Sequence, residues 1–254
     1  MKKENLKEKY EEFHKNANKQ TTIVDRNNFT YHSIISMLDK YLQPNMKVLD
    51  IGCGIGTIGL YVANKCNEVL GMDISEKAIC AAQESSEILE LKNASFKAQN
   101  FLDADFQDKF NFIICSEVLE HLRDDKLALN KIWKLMMDNS ILFLTVPSKN
   151  APVHRIRKYL FGDDTFDRKV GHLRRYSKAE LIILLETNGF EVIEVRLTEG
   201  VLRNFLFVTS IGNKLLFFAN IPIFKQLITL IDNICVRIFG EGQIITVSNL
   251  KELK

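Results

Sequence analysis

Val48-Leu49-Asp50-Ile51-Gly52-Cys53-Gly54-Ile55-Gly56 decides how this chain is read: an apolar strand breaks into three glycines at alternate positions. Gly52, Gly54 and Gly56 permit backbone conformations and close approaches that a Cβ would obstruct, so a nucleotide can sit against the turn between a strand and the following helix. That helix is expected over about 57–65. A glycine-rich turn is also found in dinucleotide enzymes that transfer hydride, which pair it with an acid after the second strand. Here Asp50 sits inside the run, two residues before the first glycine, and a second acid, Asp73, closes the apolar stretch Glu68-Val69-Leu70-Gly71-Met72-Asp73.

Further segments follow in order. Phe96-Lys97-Ala98-Gln99-Asn100-Phe101-Leu102-Asp103 reads as a third strand and its turn, and Phe110-Asn111-Phe112-Ile113-Ile114-Cys115-Ser116-Glu117-Val118-Leu119-Glu120-His121-Leu122 as a buried strand entering a polar turn. A fifth apolar strand over 140–147 stops at a proline that cannot continue a central ladder. Gly171-His172-Leu173-Arg174-Arg175-Tyr176-Ser177 then precedes a helix and Asn188-Gly189-Phe190. Alternating strands and helices imply right-handed crossovers and a parallel sheet. Helices are expected over 28–41, 57–65, 76–89, 125–137 and 178–187, with Ser75 and Ser177 as N-caps, and later strands over 191–197 and 242–247.

Over about residues 40–197 this series resembles the class I S-adenosylmethionine-dependent methyltransferases, and is similar to the small-molecule, ubiquinone-biosynthesis-like branch. The resemblance implies an α/β, doubly wound, Rossmann-like seven-stranded sheet, mostly parallel with an antiparallel last strand. It implies S-adenosyl-L-methionine as cofactor and S-adenosyl-L-homocysteine as product. By the same resemblance, the turn backbone with Asp50, Gly52, Cys53, Gly54 and Gly56 holds the methionine end. Asp73 accepts from the ribose hydroxyls beside Ile74, and Ser116 borders the same site. Asn100 stands where the family often carries an acid that accepts from the adenine amino group. Its side-chain oxygen can still accept, which leaves Asn100 and Asp103 both open for that role. Phe101 offers a backbone amide or an apolar surface to the ring, and Tyr10 is placed to close over the cofactor.

Methyl transfer from a sulfonium is an in-line displacement, so the protein chiefly aligns the partners and, for a hydroxyl acceptor, removes a proton. His121 and His172 are the candidate bases, since imidazole titrates near neutrality. Glu117 and Glu120 share the turn with His121 and would orient it or bind the acceptor; His121 could equally cap the helix after Asp124. Glu117, Arg174, Arg175 and Tyr176 are the candidate acceptor contacts. The expected reaction is O-methylation of an amphiphilic or anionic small molecule. The alternatives are N- or C-methylation, or a membrane-peripheral protein that binds the cofactor without turnover.

A chain of 254 residues, 46% hydrophobic, can bury one sizeable core as a single domain. Its expected parts are an N-terminal helical cap (1–43), the Rossmann-like core (44–197 and 241–250), a basic active-site loop (148–177) and an apolar helical insertion (200–240). A net charge of +2 gives no reason to expect nucleic-acid binding, and no zinc-ligand cluster is visible, so no metal is expected. Five cysteines, Cys53, Cys66, Cys80, Cys115 and Cys235, suggest reduced thiols in a cytoplasm. Cys53 reads as a small filler beside the ligand, because no base accompanies it. Residues 1–20 carry mixed charge without the apolar core of a signal peptide, so secretion is not expected.

The loop over 148–177 holds eight basic residues (Lys149, Arg155, Arg157, Lys158, Arg168, Lys169, Arg174, Arg175) against Asp163, Asp164 and Asp167, about +5 locally. Its arginines could grip a carboxylate or phosphate bidentately. The insertion is far more apolar than the rest, but Arg203, Lys214, Lys225, Asp232 and Arg237 interrupt it before the ~18 residues a bilayer span needs. Those charges suit helices that snorkel. Core packing, a lid over an apolar pocket, a membrane-interface surface and a homodimer contact all fit it, and the last three leave membrane association and dimerisation open.

Overall fold

Seven strands form the central sheet: β1 (Lys47–Ile51), β2 (Glu68–Asp73), β3 (Ala94–Ala98), β4 (Phe110–Ser116), β5 (Met136–Pro147), β6 (Phe190–Thr198) and β7 (Gln243–Leu250), in the order β3-β2-β1-β4-β5-β7-β6. This computed structural model describes residues 3–66, 68–162, 165–219 and 221–251; Asp163 and Asp164 of the basic loop lie outside them. Strands β1 to β5 pair in parallel, and β7 alone runs antiparallel, to β5 on one side and β6 on the other. The strand order reverses between β1 and its neighbours β2 and β4, which opens a crevice at their carboxyl ends.

The sheet is buried on both faces, which is why its central strands read as continuous apolar runs. Helices α2 (His32–Tyr41), α3 (Thr57–Ala63) and α4 (Glu76–Ile88) pack Leu38, Leu60 and Ala82 against Val48, Ile114 and Phe143 on one face. Helices α5 (Asp125–Leu135) and α8 (Lys178–Thr187) pack Leu129, Ile132 and Leu185 against Leu49, Ile113 and Leu144 on the other. Side-chain caps set several helix starts: Ser75 accepts from Ala78 N–H, Asp124 from Leu127 N–H, and Ser177 forms a reciprocal capping box with Glu180.

Several boundaries differ from those expected, and two of them have a clear local reason. Helix α2 begins at His32 rather than 28 because the Asn28 side chain accepts from Thr30 and Tyr31 N–H, which holds the backbone in a turn. Helix α5 ends at Leu135 because Met136 already pairs with Phe110 across the sheet, so β5 is a 12-residue strand. The basic connection is not an open loop but carries α6 (Pro152–Phe161) and α7 (Thr165–Val170). The insertion between β6 and β7 forms α9 (Val201–Val208), α10 (Ser210–Ala219) and α11 (Pro222–Phe239), and α1 (Lys3–Phe13) lies at the amino end. Among the described residues no helix is long and apolar enough to cross a membrane.

Candidate active site

A cavity of about 660 Å³ opens at the carboxyl ends of β1, β2 and β4, within the range that admits a cofactor-sized ligand. The glycine turn makes one wall. Gly52 has φ +67°, and a Cβ there would lie 2.3 Å from Val118 Cγ2, so only glycine lets the turn close against the segment after β4. Gly54 N–H donates to Asp73 Oδ2 at 2.9 Å and Ser75 N–H to Asp73 Oδ1 at 2.9 Å, which ties the carboxylate to the cavity wall with lone pairs left over. Cys53, Ile74, Asn100, Phe101 and Ser116 stand on the same wall. Gly56, the left-handed N-cap of α3, does not; it turns the chain against Ala82 and Phe96 instead.

Asp50 is 2% exposed, lines the cavity, and its Oδ2 has no hydrogen-bond partner among the described residues. Burial, then the charge of Asp73, pushes its carboxyl up to about 7. A buried carboxylate oxygen without a protein partner suits a ligand that brings positive charge or donors of its own. With the glycine cradle and the anchored Asp73, these residues fit a cofactor carrying a ribose and a cationic amino-acid end. Asn100 is already engaged, its oxygen accepting from Leu102 N–H at 3.1 Å and its amide donating to Asp103 Oδ2 at 3.1 Å. Asp103 is not on the wall.

The turn after β4 makes the facing wall. Glu117 adopts φ +55°, and its Oε1 accepts from Thr145 Oγ1 at 2.9 Å and Gln243 Nε2 at 3.1 Å. Glu120 is wholly buried, and neither of its oxygens has a hydrogen-bond partner among the described residues. Burial, then the adjacent Glu117, holds its carboxyl well above the ordinary range. His121 Nδ1 lies 3.1 Å from the Gly171 carbonyl, which can only accept, so the hydrogen is on Nδ1 and Nε2 is bare, 3.7 Å from Glu120 Oε1. Burial pushes the His121 imidazole down to about 4, so it is neutral at pH 7. The helix at Asp124 is capped by Asp124 itself, which leaves His121 to the cavity.

His172 arrives from the basic connection. Its Nδ1–H donates to Asp167 Oδ1 at 2.9 Å and its Nε2 lies 3.8 Å from Glu120 Oε1. Asp167 also receives Arg175 through Nε and Nη2, at 3.0 and 2.6 Å. Burial works to raise the Asp167 pKa, but the bonds from His172 and Arg175 outweigh it and hold the group well below the usual carboxylate range. Tyr10 of α1 reaches the cavity and meets the His121 ring edge-on, centroids 5.8 Å apart. The two arginines part company. Arg175 lines the cavity, whereas Arg174 pairs with Asp125 at 2.6 Å and donates to Arg123 O, and the Tyr176 hydroxyl donates to the same Asp125 at 3.0 Å. Arg174 and Tyr176, expected at the acceptor, therefore brace the start of α5 outside the cavity wall.

Sequence reasoning overlooked Gln243, Glu199 and Asn204, all of which line the cavity, and Thr145, which holds Glu117 from behind it. Gln243 sits there because β7 inserts beside β5 with Pro147 opposite Gln243, a pairing across almost a hundred residues that no local pattern signals.

This sheet order, with a glycine turn at the switch point and an acid ending β2, defines the class as a Rossmann-like, S-adenosylmethionine-dependent methyltransferase. Residues 42–170 match a family model described as a methyltransferase domain, and the chain belongs to the class I S-adenosylmethionine-dependent methyltransferases. It is 29% identical over 117 residues to (S)-coclaurine N-methyltransferase of Papaver somniferum, covering 43% of this chain and 33% of that protein. It is 27% identical over 119 residues to a ubiquinone biosynthesis O-methyltransferase of Pseudomonas fluorescens, covering 45% and 48%. The chain thus spans between a third and a half of the length of these curated relatives. The fold is shared with magnesium protoporphyrin IX methyltransferase of Synechocystis, solved with S-adenosylhomocysteine bound, at TM-score 0.61 and 19% identity over 98% of this chain and 95% of that one.

Proposed function

We propose that this chain transfers a methyl group from S-adenosylmethionine to an oxygen of a small amphiphilic or anionic acceptor. The observation that carries this reading is the cavity that sets Asp50, Gly52 and Asp73 on one wall against Glu117, His121 and His172 on the other, with the buried Glu120 3.7 and 3.8 Å from the two imidazoles. The bound cofactor supplies an electrophilic methyl group on a sulfonium. Asp73 holds the ribose hydroxyls, Asp50 faces the cationic end, and Tyr10 covers the site. Glu117, fixed by Thr145 and Gln243, receives the acceptor. The cluster of Glu120, His121 and His172 takes the hydroxyl proton as the methyl group arrives. Relatives include both N- and O-methyltransferases; oxygen is favoured here because a neutral imidazole with a bare Nε2 is what a hydroxyl acceptor needs and a neutral amine does not.

The insertion supports an acceptor met at a lipid surface. On α11, Ile223, Leu227, Leu230, Ile234 and Ile238 recur at helical spacing, and all are more than half exposed. Lys225 and Arg237 share that helix and Lys214 lies on the neighbouring α10, as on helices that lie in an anionic membrane interface.

The test is calorimetric titration with S-adenosylmethionine and S-adenosylhomocysteine, with NADH as control. Micromolar binding of the two sulfur ligands should weaken about a hundredfold in Asp73→Ala, since two charge-assisted hydrogen bonds of about 1.5 kcal/mol or more are lost. Preference for NADH, or undiminished binding in the variant, would sink the assignment.

A further inference from the structure

The Glu120, His121 and His172 cluster has a geometry that general acid–base chemistry does not require. One oxygen of Glu120 and one nitrogen of each histidine lie within 4.8 Å of one another. The separations of Glu120 Oε1 from the two Nε2 atoms are 3.7 and 3.8 Å, too long for hydrogen bonds. Ligands bound at about 2.0 Å around a tetrahedral metal stand about 3.3 Å apart, so the two separations from Glu120 need close by only about half an ångström for a metal to be held between them. Both rings are held from behind with the correct nitrogen forward: Gly171 O accepts from His121 Nδ1–H, and Asp167 accepts from His172 Nδ1–H. That is the outer-sphere support metal-binding imidazoles use to fix tautomer and orientation. Glu120, meanwhile, is a fully buried carboxyl whose oxygens have no hydrogen-bond partner among the described residues, and its Oε1 faces both Nε2 atoms. Among the described residues no hydrogen-bond donor offsets the cost of burying it so.

We infer that Glu120, His121 and His172 form a binding site for a divalent transition metal of the zinc or iron(II) type. Two imidazoles and one carboxylate leave coordination positions open. His121 and His172 line the cavity, so an oxygen of a bound molecule can complete the set there. This use of the site rests on the methyl-transfer reading above, in which the metal would polarise the acceptor hydroxyl and its proton would pass to the Glu117 carboxylate on the cavity wall in place of a free imidazole; the site itself does not rest on it. It also departs from the sequence, where Glu120-His121 and His172 are separated by some fifty residues and show no metal-ligand spacing.

The experiment uses the whole chain, stripped with chelator and titrated with Zn2+ calorimetrically, and with Co2+ by visible absorption, in the absence of cofactor. Wild-type protein should bind one equivalent at micromolar or lower Kd. Glu120→Gln and His172→Gln should each weaken binding at least tenfold, while His32→Gln, on a remote surface, should not. S-adenosylhomocysteine binding, measured on the same samples, reports folding and tests the cofactor reading separately. Addition of azide should change the Co2+ spectrum if a position is open. Zn2+ affinity equal in wild type and in the two cluster variants, or no micromolar binding by a wild type that still binds S-adenosylhomocysteine, would overturn the site. An unchanged spectrum with azide would overturn the open position.

Discussion

Burial of Asp50 at the end of β1 raises its carboxyl from an ordinary 3.8 to about 7, with the neighbouring Asp73 adding to the effect and the Gly59 N–H opposing it. Between those two values the folded state binds more protons than the unfolded chain, so this group's contribution to stability is fully present below pH 3.8 and is lost by about pH 7. A cationic ligand reverses the preference and draws the proton off. Asp50→Asn should therefore stabilise the ligand-free protein on the order of 2–4 kcal/mol at pH 8 and little at pH 4, while weakening cofactor binding. Urea unfolding of both proteins across that range checks it; parallel stability curves would remove Asp50 from the account. Asp50, Gly52 and Asp73 were legible in the sequence because each is placed by a turn a few residues long. The parts played by Asp167 and Gln243 were not, because what each touches comes from another segment of the chain.

At the scale of elements, the insertion is held by a charge that the sequence suggested would point outward. Asp232, on α11, is 1% exposed and accepts from Gly200 N–H at 2.8 Å, Leu202 N–H at 2.9 Å and Arg203 N–H at 3.0 Å, so it caps α9 from a neighbouring helix. Arg203 also turns in: its guanidinium donates to Phe29 O and stacks over the Phe29 ring at 4.6 Å. Periodicity identified apolar helices here but could not tell a snorkelling charge from a buried cap, since both occupy the same sequence positions. Removing the cap leaves three buried amide donors unsatisfied. Asp232→Ala should cost about 3 kcal/mol, seen as a lowered Tm with sulfur-ligand affinity changed less; a shift below about 0.5 kcal/mol would mean solvent replaces the cap.

For the molecule as a whole, the apolar surface is unevenly spread. The sheet and its two helical layers bury their large side chains, whereas beneath the insertion the apolar cluster among the described residues has Phe29 and Leu206 buried, with Phe207, Leu216 and Ile228 against them. The stripe on α11 stays outside. If that stripe meets lipid, a Leu227→Glu, Ile234→Glu double variant should lose at least tenfold in cosedimentation with anionic vesicles and keep its affinity for S-adenosylhomocysteine. Unchanged sedimentation together with a loss of dimer in ultracentrifugation would assign the stripe to a second copy of the chain instead. Strand order and cofactor wall were thus readable in advance, while the partner of this surface was not, because exposure follows from packing and leaves no mark on spacing.

Strand β6 joins the sheet only through β7, so the two are arms of a hairpin whose turn is the entire insertion. The neck of that hairpin is closed by Gly242 N–H donating to Thr198 O at 3.0 Å and Glu199 O at 2.7 Å. Glu199, Gly242 and Gln243 all line the cavity. Under the proposed docking at a lipid surface, a load placed on α11 would be delivered, through Asp232 and Gly200, to the wall where Gln243 steadies Glu117, so mooring and acceptor grip would not be separate adjustments.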